Sequence, residues 1–346
     1  MDTIRVGIVG LGGNCRLQHV GGLRECPQVE IVGVVNRSGE STQRAADEYS
    51  ISKTYGNWEE LVGDPDIDAV VIGTWPYLHC PITLAALEAG KHVLTEARMS
   101  CNADEARRML AASQQRPDLV TQVVPSPMGF RCMRTIRRMI NDGFLGQLRE
   151  VVCLSVSDIF ADPAAPLHWR QSSDYSGLNM LSLGIVHEAV TRWVPEPTRV
   201  LAQTQTFIAQ RSDDSGASVG VGTPDSVQVL TELPDGARGV YHVSGAVHFG
   251  PGEQMHLYGD EGTIKYQMSP QDQLWAARRG DPQLQLVDVP LEEVYEWRVE
   301  KDFIEAIRGQ RKIELTDFPK GVRYMEFTEA VARSAQTGSA VDLPLS

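Results

Sequence analysis

Ten residues near the amino terminus, Val6-Gly7-Ile8-Val9-Gly10-Leu11-Gly12-Gly13-Asn14-Cys15, carry the clearest chemistry in the chain. An apolar run that reads as a buried strand enters a glycine turn there, and a helix follows from about Arg16. Gly10 permits the tight turn, and Gly12 lets main-chain amides approach a pyrophosphate with no Cβ between them. The helix adds its positive dipole end, and Gly13, Asn14 and Cys15 complete the candidate phosphate loop. The third small position of such a fingerprint is Cys15 rather than Gly or Ala, so helix and strand must pack around a sulfur atom. The alternative is a fold of the same type that no longer holds a dinucleotide.

A second chemical signal closes the next strand, where Val34-Val35 is followed by Asn36-Arg37-Ser38. A carboxylate at this end would bond both ribose hydroxyls and repel a 2′-phosphate, and none is present. Arginine and serine instead offer charged and neutral donors to such a phosphate. The expectation is NADP(H) in preference to NAD(H), against the bland reading of an exposed cation after a strand.

The elements that must position these groups are legible in outline. Strands are predicted at Ile4–Val9, Glu30–Val35, Ala69–Ile72, His92–Leu94 and Val120–Val124, with helices near 16–25, 39–49, 57–62, 79–89 and 102–115. Such alternation argues for an α/β fold with a doubly wound parallel sheet, placing a nucleotide-binding Rossmann domain at residues 1–125. Beyond Pro125-Ser126-Pro127 the pattern changes to a helix near 131–142, a strand at Val151–Ser157 and closely spaced strands from Val200 to Val289. Residues 126–346 are therefore expected to form an α/β domain with a large, mainly antiparallel sheet. Arg211–Pro224, rich in Ser, Gly and Asp, reads as a mobile loop. Helices near 296–308 and 320–336 close the chain, with the option of packing back on the first domain.

The totals fit that picture. At 346 residues the chain is long enough for two domains, and its 42% hydrophobic content is ordinary for a globular protein. Lys+Arg 32 against Asp+Glu 45 gives a net charge of −13, which argues against nucleic acid and anionic membrane surfaces as partners. The six cysteines show no CxxC spacing, so neither a zinc motif nor any other metal site is expected, and a reducing compartment is the simpler reading. The start lacks a signal pattern and no apolar run approaches the ~18 residues of a membrane span, which points to the cytoplasm.

Several segments together resemble the glucose–fructose oxidoreductase / inositol dehydrogenase family (Gfo/Idh/MocA) over nearly the whole length. They are the glycine turn, Gly73-Thr74-Trp75-Pro76-Tyr77-Leu78-His79, and the run Ala89-Gly90-Lys91-His92-Val93-Leu94 leading into the family's catalytic Glu-Lys-Pro position. Trp169-Arg170, Gly177 with Leu183-Gly184, Asp302 to Gly309 and the final Val341-Asp342-Leu343-Pro344 also match. The resemblance implies a nicotinamide-dependent oxidoreductase acting on a sugar, cyclitol or related polyol, assembled as a homodimer or homotetramer. It implies cofactor contacts from Thr74, Trp75, His79, Glu96, Trp169 and Arg170. Domain packing is the rival use of Trp169-Arg170, and helix opening that of His79.

The departures from the family fall on the chemistry. Where the family has Glu-Lys-Pro this chain reads Glu96-Ala97-Arg98, and Ser182 and Val186 stand where an aspartate and a histidine are usual. An arginine orients substrates and stabilises oxyanions but is a poor proton shuttle. Asn179, Leu183 and His187 fall at i, i+4 and i+8, one helical stripe. The expected alternative constellation has Arg98 and Asn179 positioning hydroxyls and His187 managing the proton. The rival uses are an ion pair for Arg98, a helix cap for Asn179 and interface filling for His187. Two other functions stay open: redox-neutral elimination, hydrolysis or epimerisation of a sugar derivative, and an inactive NADP-binding sensor.

Overall fold

The structure is a computed structural model that describes residues 3–346. The chain divides into two units, Met1–Pro125 with Arg298–Met325, and Ser126–Trp297 with Glu326–Ser346.

The first unit holds six strands: β1 (Ile4–Val9), β2 (Val29–Val35), β3 (Lys53–Thr54), β4 (Ala69–Ile72), β5 (His92–Thr95) and β6 (Thr121–Val123). All neighbours are parallel, in the order β3-β2-β1-β4-β5-β6. The order reverses between β1 and β4, so their carboxyl ends open a crevice suited to a ligand. Val6, Ile8, Val70, Val71, Ile72, Val93 and Leu94 are fully buried. Both faces of the sheet are covered, which is why these strands read as continuous apolar runs. Each such side chain contributes about 1.5–3 kcal/mol relative to exposure.

Helices at Gly39–Tyr49, Trp58–Gly63 and Ala103–Gln115 begin where Ser38, Asn57 and Asn102 accept a hydrogen bond from the third residue onward. These side chains satisfy amides that the first helical turn leaves unpaired. Lys53–Thr54 was not foreseen as a strand; two residues are too short for a pattern of alternation to register.

The second unit carries β7 (Leu148–Val156), β8 (Arg199–Gln205), β9 (Gln210–Ser212), β10 (Ser218–Gly220), β11 (Ser226–Glu232), β12 (Arg238–Ser244), β13 (Gly252–Gly259), β14 (Gly262–Gln267), β15 (Gln273–Arg278), β16 (Gln285–Leu286) and β17 (Val341–Asp342). Nine of them form one sheet ordered β16-β15-β14-β13-β7-β12-β11-β8-β17, parallel only at β7–β12. The remaining two correct the expectation of a loop at Arg211–Pro224, since β9 and β10 pair as a hairpin. The Asp213 carboxylate accepts from the Ser215 and Ala217 amides and folds the turn. The buried Arg211 guanidinium donates to the carbonyls of Phe160, Asp162 and Ala165. A composition typical of loops here builds a turn tied down by one buried cation.

Candidate cofactor site

The glycine turn at the end of β1 is held by its own backbone and by one side chain. The Gly10 amide donates to Val35 O at 2.8 Å, the Leu11 amide to Asn36 Oδ1 at 2.7 Å, and the Gly12 amide to Gly10 O at 2.8 Å. Gly10 has φ +83°, and a Cβ there would lie 2.8 Å from the Thr74 amide nitrogen, so both conformation and space require glycine. Cys15 is accommodated by a second glycine across the turn. A Cβ on Gly73 would meet Cys15 Sγ at 2.2 Å and Gly10 O at 2.4 Å. The smallness that the fingerprint lacks at position 15 is supplied at position 73.

From this turn the chain enters a π-helical segment, Cys15–His19, that continues as an α-helix over Val20–Glu25. The opening of a helix leaves main-chain N–H groups without intrahelical partners; here the Arg16 amide donates to Gly12 O at 3.0 Å.

A cleft of about 450 Å³ runs from this turn to the ends of β2 and β4, lined among others by Gly10, Gly12, Arg37, Ser41, Thr74 and Trp75. The Thr74 hydroxyl is buried with no hydrogen-bond partner in the chain. Arg37 stacks its guanidinium 5.5 Å from the Trp75 ring centroid at the outer end. Glycines in the cleft wall, an orphaned hydroxyl and a cation stacked on indole suit a dinucleotide, so these residues fit a nicotinamide cofactor.

Asn36 and Ser38 have local tasks that correct part of the sequence expectation. The Asn36 amide is used at both ends, accepting from Leu11 N and donating to Ser41 O. Ser38 forms a capping box with Ser41, so its hydroxyl serves the helix that follows. Of the three residues after β2, Arg37 alone is exposed toward the cleft with no backbone duty.

Beyond β5, Glu96 is a knot of polar contacts. Its Oε1 accepts from the Asn14 side-chain Nδ2 and lies 2.9 Å from His19 Nε2. Burial pushes the Glu96 carboxyl up, but the His19 and Asn14 hydrogen bonds outweigh it and hold the group below its usual range. His19 and Glu300 were not foreseen here, because nothing in the linear spacing links positions 19, 96 and 300.

His79 is fully buried, with Nδ1 2.8 Å from Arg98 O and Nε2 2.9 Å from Thr74 O. Burial lowers its pKa. It ties together the chain segments after β4 and β5 instead of presenting a nitrogen to a ribose. Arg98 is buried, which corrects the idea of a surface ion pair.

In the second unit, Asn179 and His187 do not share a helix. The helix spans only Leu183–Val190, because Gly177 at φ +61° and Leu181 at φ +50° break the helical path before it. Asn179 donates to Ser176 O at 2.7 Å, and Ser182 rather than Asn179 occupies the N-cap. His187 is fully buried, with Nδ1 3.0 Å from Tyr241 Oη, Nε2 3.1 Å from Glu196 Oε2 and its ring stacked 3.6 Å from Phe327. Both nitrogens are engaged within the unit, so the expected proton transfer by His187 has no free atom to perform it.

Glu188 pairs with Arg192, which also donates to the Ser126 and Met128 carbonyls. The Arg170 guanidinium lies 4.3 Å from the Trp169 ring centroid, in a turn capped by His168.

Comparison with known proteins identifies the family and the fold. Residues 4–123 match the oxidoreductase family with an NAD-binding Rossmann fold, and residues 133–265 match the GFO/IDH/MocA C-terminal domain. The chain belongs to the Gfo/Idh/MocA family of oxidoreductases.

Among its relatives is levoglucosan dehydrogenase of Pseudarthrobacter phenanthrenivorans, 25% identical over 72% of this chain and 67% of that one. Another is the mouse trans-1,2-dihydrobenzene-1,2-diol dehydrogenase, 30% identical over 62% of this chain and 60% of that one. Among solved structures, levoglucosan dehydrogenase in complex with NADH and levoglucosan superimposes with a TM-score of 0.87 at 22% identity, covering all of both chains. That likeness establishes the fold. Among the described residues no helix is long and apolar enough to cross a membrane.

Proposed function

We propose that this protein is an NADP(H)-preferring dehydrogenase or reductase of a sugar, cyclitol or related polyhydroxy compound. The observation that carries the cofactor half is the cleft at the β1–β4 crevice, with its orphaned Thr74 hydroxyl and the Arg37–Trp75 stack. The substrate half rests on relatives whose names specify levoglucosan, a dihydrodiol and 1,5-anhydro-D-fructose.

When bound, the nicotinamide would supply hydride exchange with a carbinol carbon. Gly10, Gly12, Gly13, Asn14 and Cys15 shape the turn whose amides hold the diphosphate, and Thr74 offers its hydroxyl. Arg37, with Trp75 as its platform, would offer its guanidinium to a 2′-phosphate. Arg98, just beyond β5, would orient a substrate hydroxyl or carbonyl. His187 acts as a positioning residue for its own unit.

Titration of both nucleotides against the parent and Arg37→Ala tests the cofactor assignment. NADP(H) affinity is expected to fall about tenfold, which is about 1.4 kcal/mol, with NAD(H) unchanged. Equal NADP(H) affinity in the two proteins removes the argument. Oxidation of a polyol panel, followed by NADPH absorbance, tests the reaction. Turnover with no change in bulk NADPH would favour the redox-neutral alternative, and binding without turnover the sensor.

The same reading includes a homodimer or homotetramer. Leu201, Leu230 and Val240 sit in register across β8, β11 and β12 and are each more than 40% exposed, an apolar stripe on one sheet face. Leu230→Lys should reduce the mass in solution, measured by light scattering, to that of one chain. A parent that is already monomeric would discard the assembly. The six free, buried cysteines support a reducing, cytoplasmic setting.

A further inference from the structure

The polar knot beneath the glycine turn has a composition that cofactor binding does not explain. Cys15 Sγ, a ring nitrogen of His19 and a carboxylate oxygen of Glu96 lie within 4.8 Å of one another. Cys15 is 1% exposed, His19 is fully buried and the Glu96 side chain is 13% exposed. The opposite nitrogen, His19 Nδ1, lies 2.5 Å from Glu300 Oε1 on the helix Val299–Ile307. Gly22 makes room for that carboxylate, since a Cβ there would fall 2.5 Å from Glu300 Oε2.

We propose that Cys15, His19 and Glu96 form a buried three-ligand site for a divalent transition ion of the zinc type, with Glu300 orienting His19. Thiolate, imidazole and carboxylate are the donors such an ion takes, and a carboxylate on the far ring nitrogen is the usual means of fixing a ligand histidine. Calcium and magnesium are disfavoured, because one carboxylate among sulfur and nitrogen falls far short of the oxygen shell they require. Glu96 is the ligand solvent reaches, which gives the ion an entry path and a water for its fourth position.

The exchange balances in charge. Each His19 nitrogen lies within hydrogen-bonding distance of a carboxyl oxygen, Nε2 of Glu96 and Nδ1 of Glu300. A divalent ion forms bonds to Sγ, Nε2 and a Glu96 oxygen and displaces the thiol proton and the Nε2 proton to solvent. Two positive charges enter as two leave, so the buried cluster keeps its net charge. The ion would then clamp the opening helix to the end of β5, and through Glu300 to the helix Val299–Ile307.

The test uses the full chain stripped with a chelator and titrated with Co²⁺ and Zn²⁺. One equivalent of Co²⁺ should bind with a thiolate-to-cobalt charge-transfer band, and Zn²⁺ should displace it and raise the melting temperature. Cys15→Ser, close to isosteric, should abolish the band, and Glu300→Gln should weaken Zn²⁺ binding about 10–100-fold. The ion-free melting temperature of each variant confirms that it folds. A folded parent that gives no charge-transfer band overturns the proposal, and so does metal uptake that survives Cys15→Ser. Nucleotide affinity is read separately by tryptophan fluorescence, so failure here leaves the dehydrogenase reading standing.

Discussion

The glycine turn of the first unit and the segment 177–190 of the second both carry candidate chemistry into a helix, yet they are built differently. At the turn the main chain does the work: Gly10, Leu11 and Gly12 are fixed by hydrogen bonds to Val35, Asn36 and Gly10. In 177–190 side chains decide, and they turn inward, with His187 between Tyr241, Glu196 and Phe327. A site made of backbone amides survives changes of side chain provided the residues stay small. A site made of side chains is exposed to their packing, and here His187 is taken up by Tyr241, Glu196 and Phe327.

The largest expected effect breaks the first half of this contrast. Gly73→Ala puts a methyl 2.2 Å from Cys15 Sγ and 2.4 Å from Gly10 O, and no rotation relieves the contact with the backbone oxygen. Denaturant melts should show a loss of about 3 kcal/mol, with nucleotide binding weakened in whatever protein remains folded. Adding Cys15→Gly should recover only part of the loss, since the Gly10 carbonyl still clashes. A Gly73→Ala protein that melts like the parent would show that the turn is looser than described.

The second half is sharpened by His187→Gln. Glutamine keeps one polar contact and loses the stack on Phe327, so stability should fall by about 1–3 kcal/mol while nucleotide affinity stays at the parent value. The informative contrary result is an unchanged melting temperature with abolished turnover. That would return His187 to the chemistry.

The same division explains how much the sequence disclosed. Strands at Ile4–Val9 and Ala69–Ile72 and the helix Gly39–Tyr49 were legible because apolar runs and capping side chains write local structure directly. The glycine turn was legible for the same reason. The compensation of Cys15 by Gly73 was not, because it joins the start of the first helix to the segment after β4, far apart in the chain. Nor was the cluster of Cys15, His19, Glu96 and Glu300, whose members come from a π-helical segment, a strand end and a distant helix. The stripe of Asn179, Leu183 and His187 failed because periodicity assumes an unbroken helix, and Leu181 in the left-handed region breaks it.

The smallest effect separates two neighbouring residues after β2. Ser38 and Arg37 both read as phosphate donors, but the Ser38 hydroxyl accepts from the Ser41 amide at 3.2 Å and caps the helix Gly39–Tyr49. Ser38→Ala should therefore cost about 1 kcal/mol of stability, typical for a lost N-cap. Its NADP(H) affinity should stay within about twofold of the parent, well short of the tenfold expected for Arg37→Ala. The pair of variants thus separates a helix cap from a cofactor ligand at adjacent positions. A Ser38→Ala protein of parental stability with a tenfold affinity loss would move the hydroxyl from the cap to the phosphate.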